Sequence, residues 1–380
     1  MESENKDARP LVSVVMPSYN HAEFVGQAIE SVLNQTYENF EFIIADDASE
    51  DHSAEIICRY NDPRIQFKQI VKNTGFSACE YVYEQVKGKY ITSICSDDMW
   101  KPNALEKRVA FLEENGQYGC CFCQPEILNE DEEDIDRTKM FEALFATHNY
   151  SQEMWFRKLY LEGNCLCAPS MCMRRSVYEQ LGPFQYQYRQ LQDYEYWLRL
   201  LLISNIYVSP EKLIIYRLHH NGNNRNMSAQ TNDVQIRDAM ERKYLMFDIM
   251  DHLSEEFFIK AFFDDLMIKP GAEGFCLECE KFGIMIRSTV VPPHASIFYF
   301  FRHYKDVKFR TCIEKYYNIT RKEFWNITGV DYDNGSKDLR NEVKISLLAE
   351  QIHVLKEELK QKNEEIEKLK QLVAVSDGRN

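Results

Sequence analysis

Leu11-Val-Ser-Val-Val-Met16, running into Pro17-Ser-Tyr-Asn20, is the stretch from which the fold can be read. A short apolar, β-rich run ends in a polar tip, and then the hydrophobic period changes. Val25, Ala28, Ile29, Val32 and Leu33 fall at i, i+3, i+4, i+7 and i+8, one face of a helix. Asn20 and Glu23 have capping-box spacing at its start. The alternation then repeats, with strand-like runs at 40–45, 64–70, 90–95 and 118–123. Helical patterns carrying Ile56, Ile57 and Tyr60, then residues 76–86, then 102–114, separate them. Such alternation predicts an α/β domain with a mostly parallel sheet flanked by helices. Ligands of these sheets bind beyond the carboxyl ends of the strands. The polar tips there are 17–20, Asp46-Asp47 and Ser96-Asp97-Asp98.

Outward from this core the pattern is less regular. Residues 126–142 hold eight acids and two bases and read as an exposed excursion. Order resumes at 154–161, 168–173 and a helix at 192–202, and a last strand-like segment covers 212–218. From 232 to 325 the chain reads as helical and rich in aromatics. The tail carries a heptad, with Ile345, Ile352, Leu359, Ile366 and Val373 at a, and Leu348, Leu355 and Leu369 at d. Lys362 interrupts the d series; β-branched a with Leu at d favours a parallel dimer.

Composition narrows the function. The 380 residues carry 45 Lys and Arg against 60 Asp and Glu, net −15, which argues against a nucleic-acid partner. The first ten residues lack the apolar core of a secretion signal, and no apolar run approaches the roughly 18 residues a membrane helix needs. A cytoplasmic location is expected, so the 12 cysteines should be reduced. Cys165, Cys167 and Cys172, and the pair Cys276 and Cys279, have zinc-like spacings, but nothing else in the sequence supports a metal there. The thiols read as small buried apolar groups. Residues 296–325 run the other way in charge, with seven bases and three acids among many aromatics. They read first as a packed helical layer, with peripheral contact to an anionic membrane as the alternative.

Acid pairs at strand tips can ligate a divalent cation, hold ribose hydroxyls or cap the following helix. With Asp97-Asp98 and Asp46-Asp47 on neighbouring tips, a nucleotide and metal site is the better reading. The chain has no GxGxxG after its first strand and no GxxxxGK[ST], so dehydrogenases and P-loop enzymes are disfavoured. A cation would then have to meet the phosphates.

These segments resemble the opening of a family-two inverting glycosyltransferase of GT-A fold. The likeness rests on residues 12–20, 27–37 and 42–49, then Asn73-Thr-Gly75, Gly88-Lys-Tyr-Ile91, Ser96-Asp-Asp98 and residues 100–105, in that order. Gln192-Asp-Tyr-Glu-Tyr-Trp-Leu-Arg199 and Tyr216-Arg-Leu-His219 resemble later landmarks, so the resemblance spans about 11–228. It implies transfer of one sugar from a nucleotide-diphospho-sugar, UDP being the commonest carrier. Pro17, Tyr19, Asp47 and Asn73 would bind the nucleotide-sugar, with Asp97 on its ribose or phosphate side. Asp98 and His219, or His220 beside it, would hold Mn2+ or Mg2+. Asp193 would be the catalytic base; on the residues alone a charge at a helix N-terminus is the better reading. Relatives often have Glu where this chain has Gln192, and Asn where it has Glu80. The Gln-x-x-Arg-Trp motif of processive synthases is absent.

The expected layout is a flexible start (1–10), a GT-A domain (11–230), a helical extension (231–335), a coiled coil (340–374) and a short flexible tail. The partners are a nucleotide-sugar donor, a glycan or lipid-linked acceptor, and a second copy through 345–373. The aromatics Tyr150, Trp155, Tyr186, Tyr188 and Trp197 could stack on an acceptor sugar, though most aromatics are core. An inactive scaffold of the same fold is the competing reading, and the intact Asp47, Asp97, Asp98 and Asp193 speak against it. A nucleotidyltransferase would need a Gly- and Lys/Arg-rich loop after its first strand, and residues 17–20 are not that.

Overall fold

The computed structural model describes residues 9–131, 133–219, 232–328 and 362. The heptad segment 340–374, apart from Lys362, and also His220 lie outside the described residues. The chain divides into two compact units, 1–242 and 243–380.

The first unit is built on an eight-stranded sheet. In chain order the strands are β1 (Val12–Ser18), β2 (Phe40–Asp46), β3 (Ile65–Gln69), β4 (Tyr90–Ser93), β5 (Met99–Trp100), β6 (Tyr118–Asn129), β7 (Cys172–Arg174) and β8 (Asn205–Leu218). Their order across the sheet is β3-β2-β1-β4-β7-β6-β8-β5. β3, β2, β1 and β4 run parallel, as do β6 and β8. β7 is antiparallel to β4 and β6, and β5 to β8. All of β2, and all of β1 except Pro17, is buried, as continuous apolar runs covered on both faces must be. The helix Val25–Leu33 buries Val25, Ala28, Ile29 and Val32, the face read from the periodicity.

Several local expectations change. No capping box forms, because the helix begins after Phe24, without a side-chain cap. Asn20 instead takes a left-handed backbone (φ 52°) and accepts from the Glu50 N–H at 2.8 Å. An Asn tolerates that conformation and spends its carbonyl on tying the first tip to the second. The acidic segment is not a loose excursion. β6 continues to Asn129 because β8 pairs with it as far as Asn129 and Leu218. A helix, Ile135–Phe145, then follows, capped by Asp134 accepting from Arg137 N–H at 3.0 Å. Lys101 pairs with Glu126 at 2.5 Å and Lys212 with Glu142 at 3.1 Å. Trp155, Tyr188 and Trp197 are buried, so they are core rather than sugar platforms.

The helix Asn232–His252 carries the unit boundary. Beyond it come helices Glu255–Phe262, Leu277–Arg287, Pro293–His303, Val307–Tyr317 and Arg321–Thr328. Phe282, Phe300 and Phe309 pack edge to face with centroids 5.5–6.3 Å apart. Thus Tyr299, Phe300, Phe309 and Phe324 of the aromatic segment are core, while Phe298, Phe301 and Trp325 are exposed. Among the described residues no helix is long and apolar enough to cross a membrane.

Gly88 shows why the entry to β4 tolerates no side chain. Its N–H donates to Ser13 Oγ at 2.8 Å, and a Cβ there would meet Ser13 N at 2.5 Å and Leu11 O at 2.8 Å. Backbone atoms cannot swing aside, so Gly88→Ala should cost about 1–3 kcal/mol in urea unfolding. Gly116→Ala, with nothing within 4 Å, should stay within about 0.5 kcal/mol.

Candidate active site

The tips of β1, β2, β4 and β8 are laced together at the carboxyl edge. After β1, Asn20 N–H donates to Ser49 Oγ and His21 N–H to Ser53 Oγ, both at 2.9 Å. Asp47 N–H donates to Ser18 O at 2.8 Å. Asp46 turns its carboxylate onto its own loop, accepting from Ser49 N–H at 2.9 Å and from Ser49 Oγ at 2.5 Å. Of the Asp46-Asp47 pair, Asp46 is therefore the loop's brace. Three polar atoms on these tips are buried without a hydrogen-bond partner: Ser18 Oγ, His21 Nε2 and Asp47 Oδ1. Burial pushes the Asp47 carboxyl up; the backbone N–H groups of Ala78 and Gly75 partly oppose this. Asn73 shapes that second contact, since its Oδ1 accepts from Gly75 N–H at 2.7 Å. Gly75 sits at φ 92°, where a side chain would be strained. Pro17 is half-buried in β1, and Tyr19 beside it is exposed.

The structure brings Asp97, Asp98 and His219 into one buried group. His219 Nε2 lies 2.9 Å from Asp97 Oδ2, and its Nδ1 lies 3.3 Å from Glu130 Oε2. His21 Nδ1 lies 2.8 Å from Ser96 Oγ, with Nε2 at 4.0 Å from Asp97 Oδ2. Arg217 binds the tip from β8. Its backbone N–H donates to Asp98 Oδ1 at 2.9 Å, its Nε to Asp97 O at 2.9 Å, and its Nη2 to Gln27 Oε1 at 2.7 Å. Its guanidinium lies over the Phe24 ring at 4.7 Å and 3.5 Å from Glu130 Oε1.

The electrostatics of the two neighbours diverge. Burial works to raise Asp97, but the His219 hydrogen bond and the nearby His21 ring outweigh it and hold the carboxyl below its usual range. Asp98 is pushed well above that range by burial and by Asp97 beside it, more than Arg217 offsets. Burial would lower the His219 imidazole, but Asp97 and Glu130 raise it. Donor atoms fall into two sets that share Asp97, one with His21 and His219 and one with Cys95 and Asp98. Carboxylate oxygens with imidazole nitrogens suit Mn2+, and the carboxylates suit Mg2+, so the donor set fits such an ion.

Asp193 is held by separate contacts in the first turn of the helix Gln192–Ile203. Its Oδ2 accepts from Asn164 Nδ2 at 3.0 Å and its Oδ1 from Tyr194 N–H at 2.7 Å. Burial raises its carboxyl, with those two bonds and Arg242 opposing. The turn before the helix is pinned by Glu241, which accepts from the N–H groups of Arg189, Gln190 and Leu191 at 2.8–3.0 Å.

Sequence reading did not select His21, Glu130, Asn164, Arg217 or Glu241. Period-2 alternation in β8 could have flagged Arg217, which shares a face with His219. Glu130 is one acid in a run of them, and Glu241 reaches its partners only through folding, so neither carries a local signal.

Residues 13–182 match the family described as Glycosyl transferase family 2. An uncharacterized glycosyltransferase of Methanocaldococcus jannaschii is 30% identical over 223 residues, 57% of this chain and 73% of that protein. The Escherichia coli enzyme WfgD, a UDP-Glc:alpha-D-GlcNAc-diphosphoundecaprenol beta-1,3-glucosyltransferase, is 28% identical over 201 residues, 52% of this chain and 72% of that one. TarS of S. aureus (residues 1–349), crystallised with UDP-GlcNAc, superposes with a TM-score of 0.52 at 18% identity, covering 81% of this chain and 92% of that one. The parallel sheet with its acid-bearing strand ends is thus the GT-A-like fold, and the chain belongs to the family-two glycosyltransferases.

Arg217 joins the Asp97-Asp98 tip to β8, so its removal leaves buried polar groups unpaired. Arg217→Ala should cost about 3–5 kcal/mol in denaturant unfolding. The double variant with Glu130→Ala should recover part of that loss, as double-mutant cycles register for coupled groups.

Proposed function

We propose that this glycosyltransferase moves one sugar from a UDP-sugar to a hydroxyl of a glycan or lipid-linked acceptor, with inversion at the anomeric carbon. The observation that carries the reading is the trio of buried, unpartnered polar atoms, Ser18 Oγ, His21 Nε2 and Asp47 Oδ1, on tips bonded to the Asp97 group. Buried polar groups require partners, and those of a nucleoside diphosphate, ribose hydroxyls and base edges among them, are of the right kind. In this reading Asp47 and Asn73 shape the base and ribose side, Pro17 and Tyr19 flank it, and Asp97 faces ribose and phosphate. Asp98 and His219, with Asp97 shared between them, would hold Mn2+ or Mg2+. Such an ion would neutralise the charge that gathers on the departing diphosphate.

Asp193 takes the acceptor's proton as its oxygen attacks the anomeric carbon and the bond to the diphosphate breaks. A base with a raised pKa is well matched to this, because proton affinity drives the transfer. Asn164 and Tyr194 N–H aim the carboxylate, and Glu241 fixes the turn that presents it. WfgD, by its name, uses UDP-Glc and a diphosphoundecaprenol acceptor, which supports the same substrate classes here. The exposed Phe298, Phe301 and Trp325 of the basic segment are suited to a lipid surface at which such an acceptor would be met. Residues 345–373 would pair two copies, and deletion of 340–380 should halve the assembly mass in light scattering; an unchanged number of chains per assembly would refute this.

A thermal-shift panel of nucleotide-sugars with and without Mn2+ tests the donor. At 100 times its Kd the correct one should stabilise the fold by about 2.7 kcal/mol. With that donor, Asp193→Asn should lose about 10²–10⁴-fold in turnover while keeping the thermal shift. The wild-type rate should fall as pH drops through the raised pKa of Asp193, because only the carboxylate accepts a proton. Unchanged turnover in Asp193→Asn would remove Asp193 as the base.

A further inference from the structure

Three thiols in the second unit form a cluster that plays no part in sugar transfer as described above. Cys276 caps the N-terminus of the helix Leu277–Arg287, Cys279 lies in its first turn, and Cys312 comes from the helix Val307–Tyr317. Their sulfurs all lie within 4.8 Å of one another, and all three residues are buried. The local spacing Cys276-Leu-Glu-Cys279 was visible in sequence, but its natural partner there, the group Cys165, Cys167 and Cys172, belongs to the other unit. Folding supplies Cys312 instead, 33 residues beyond Cys279.

We propose that Cys276, Cys279 and Cys312 bind a zinc ion that fastens the start of the helix Leu277–Arg287 to the helix Val307–Tyr317. Zinc takes sulfur at about 2.3 Å, which sets tetrahedral ligands about 3.8 Å apart. Sulfurs already within 4.8 Å reach that spacing by small side-chain rotations. Cys276 O accepts from the N–H groups of Cys279 and Glu280, both at 3.0 Å, which fixes the turn that holds Cys276 and Cys279 together. The Cys279 and Cys312 thiols donate to Phe309 O and Gly274 O, each at 3.4 Å. Binding as thiolates would release the three thiol protons to solvent as the sulfurs turn to the ion. Three thiolates around Zn2+ would carry one net negative charge, with the Lys308 ammonium close enough to act on Cys276 and Cys312. Among the described residues no further Cys, His or carboxylate joins the cluster, so the fourth position falls to water.

The competing chemistry for the same residues is a Cys276–Cys279 disulfide at the start of the helix. The cluster is favoured by Cys312, which a two-cysteine couple does not need. The test uses the full chain, purified under reducing conditions, equilibrated with zinc and desalted, then analysed for metal and for free thiols. About one zinc per chain is expected, lost in Cys276→Ser and Cys312→Ser and kept in Cys165→Ser. Removing the metal with a chelator should lower the melting midpoint, and restoring zinc should return it. Because a serine variant could simply fail to fold, metal-free wild-type chain is also titrated with Co2+, where thiolate-to-cobalt charge-transfer absorption should appear and saturate near one equivalent. Reduced wild-type protein that takes up neither metal, retention of zinc by Cys312→Ser, or a stable Cys276–Cys279 disulfide that persists in place of metal would each overturn the proposal.

Discussion

Two adjacent carboxylates, Asp97 and Asp98, are buried side by side, and much of the first unit's architecture serves to hold them there. Burying one charge is costly, and a second beside it more so. The structure meets this from β8, which pairs with β5 directly after the two acids. β8 delivers Arg217 through its backbone N–H and guanidinium, and His219 through its ring. That delivery works only if β8 runs in register with β6 as far as Leu218, which also brings Glu130 to the far nitrogen of His219. The tip after β4 and the end of β8 are thus one unit in energy, although about 120 residues separate them in sequence.

The same constraint separates the chemistry of neighbouring acids. Asp97 gains a histidine and falls below its usual range, while Asp98 gains less compensation and rises. Environment, not residue type, sets which carboxyl is readily ionised. Asp193 follows a third course, raised by burial but aimed by two hydrogen bonds in a separate pocket of contacts. One kind of side chain thus takes three different electrostatic settings within a single fold.

The second unit rests on a different principle. Its helices are joined by aromatic edge-to-face packing around Phe282, Phe300 and Phe309 rather than by a ladder of strands. The thiol cluster sits at the junction of two of these helices, where a single ion would constrain both. Lys281, buried on one of them, donates to Leu253 O at 2.7 Å, and burial pulls its ammonium down from its usual range. Glu280, buried beside it in sequence, likewise accepts from the N–H groups of Met267 and Ile268 at 2.8 and 3.1 Å.

Much of the fold was legible along the chain, because burial on both faces leaves a local mark. β1, β2 and the helix Val25–Leu33 follow from runs and periods a few residues long. The acid-bearing tips were legible for the same reason, since each lies directly after a strand. What could not be read were the short strands β5 and β7, the full lengths of β6 and β8, and the role of Asn20 as a brace rather than a cap. Each depends on a partner strand or loop far away in sequence, so no window of local pattern contains it. The sequence by itself thus determined the alternating layers, the edge of the sheet that carries the acids, and the family resemblance. Only the tertiary structure decided that Asp46 braces its own loop, that His219 meets Asp97, that Arg217 and Glu241 position their neighbours, and that Cys312 joins a cluster. The physical reason is that a side chain's charge and reach are local properties, whereas what neutralises or orients it is set by whichever distant segment folding packs against it.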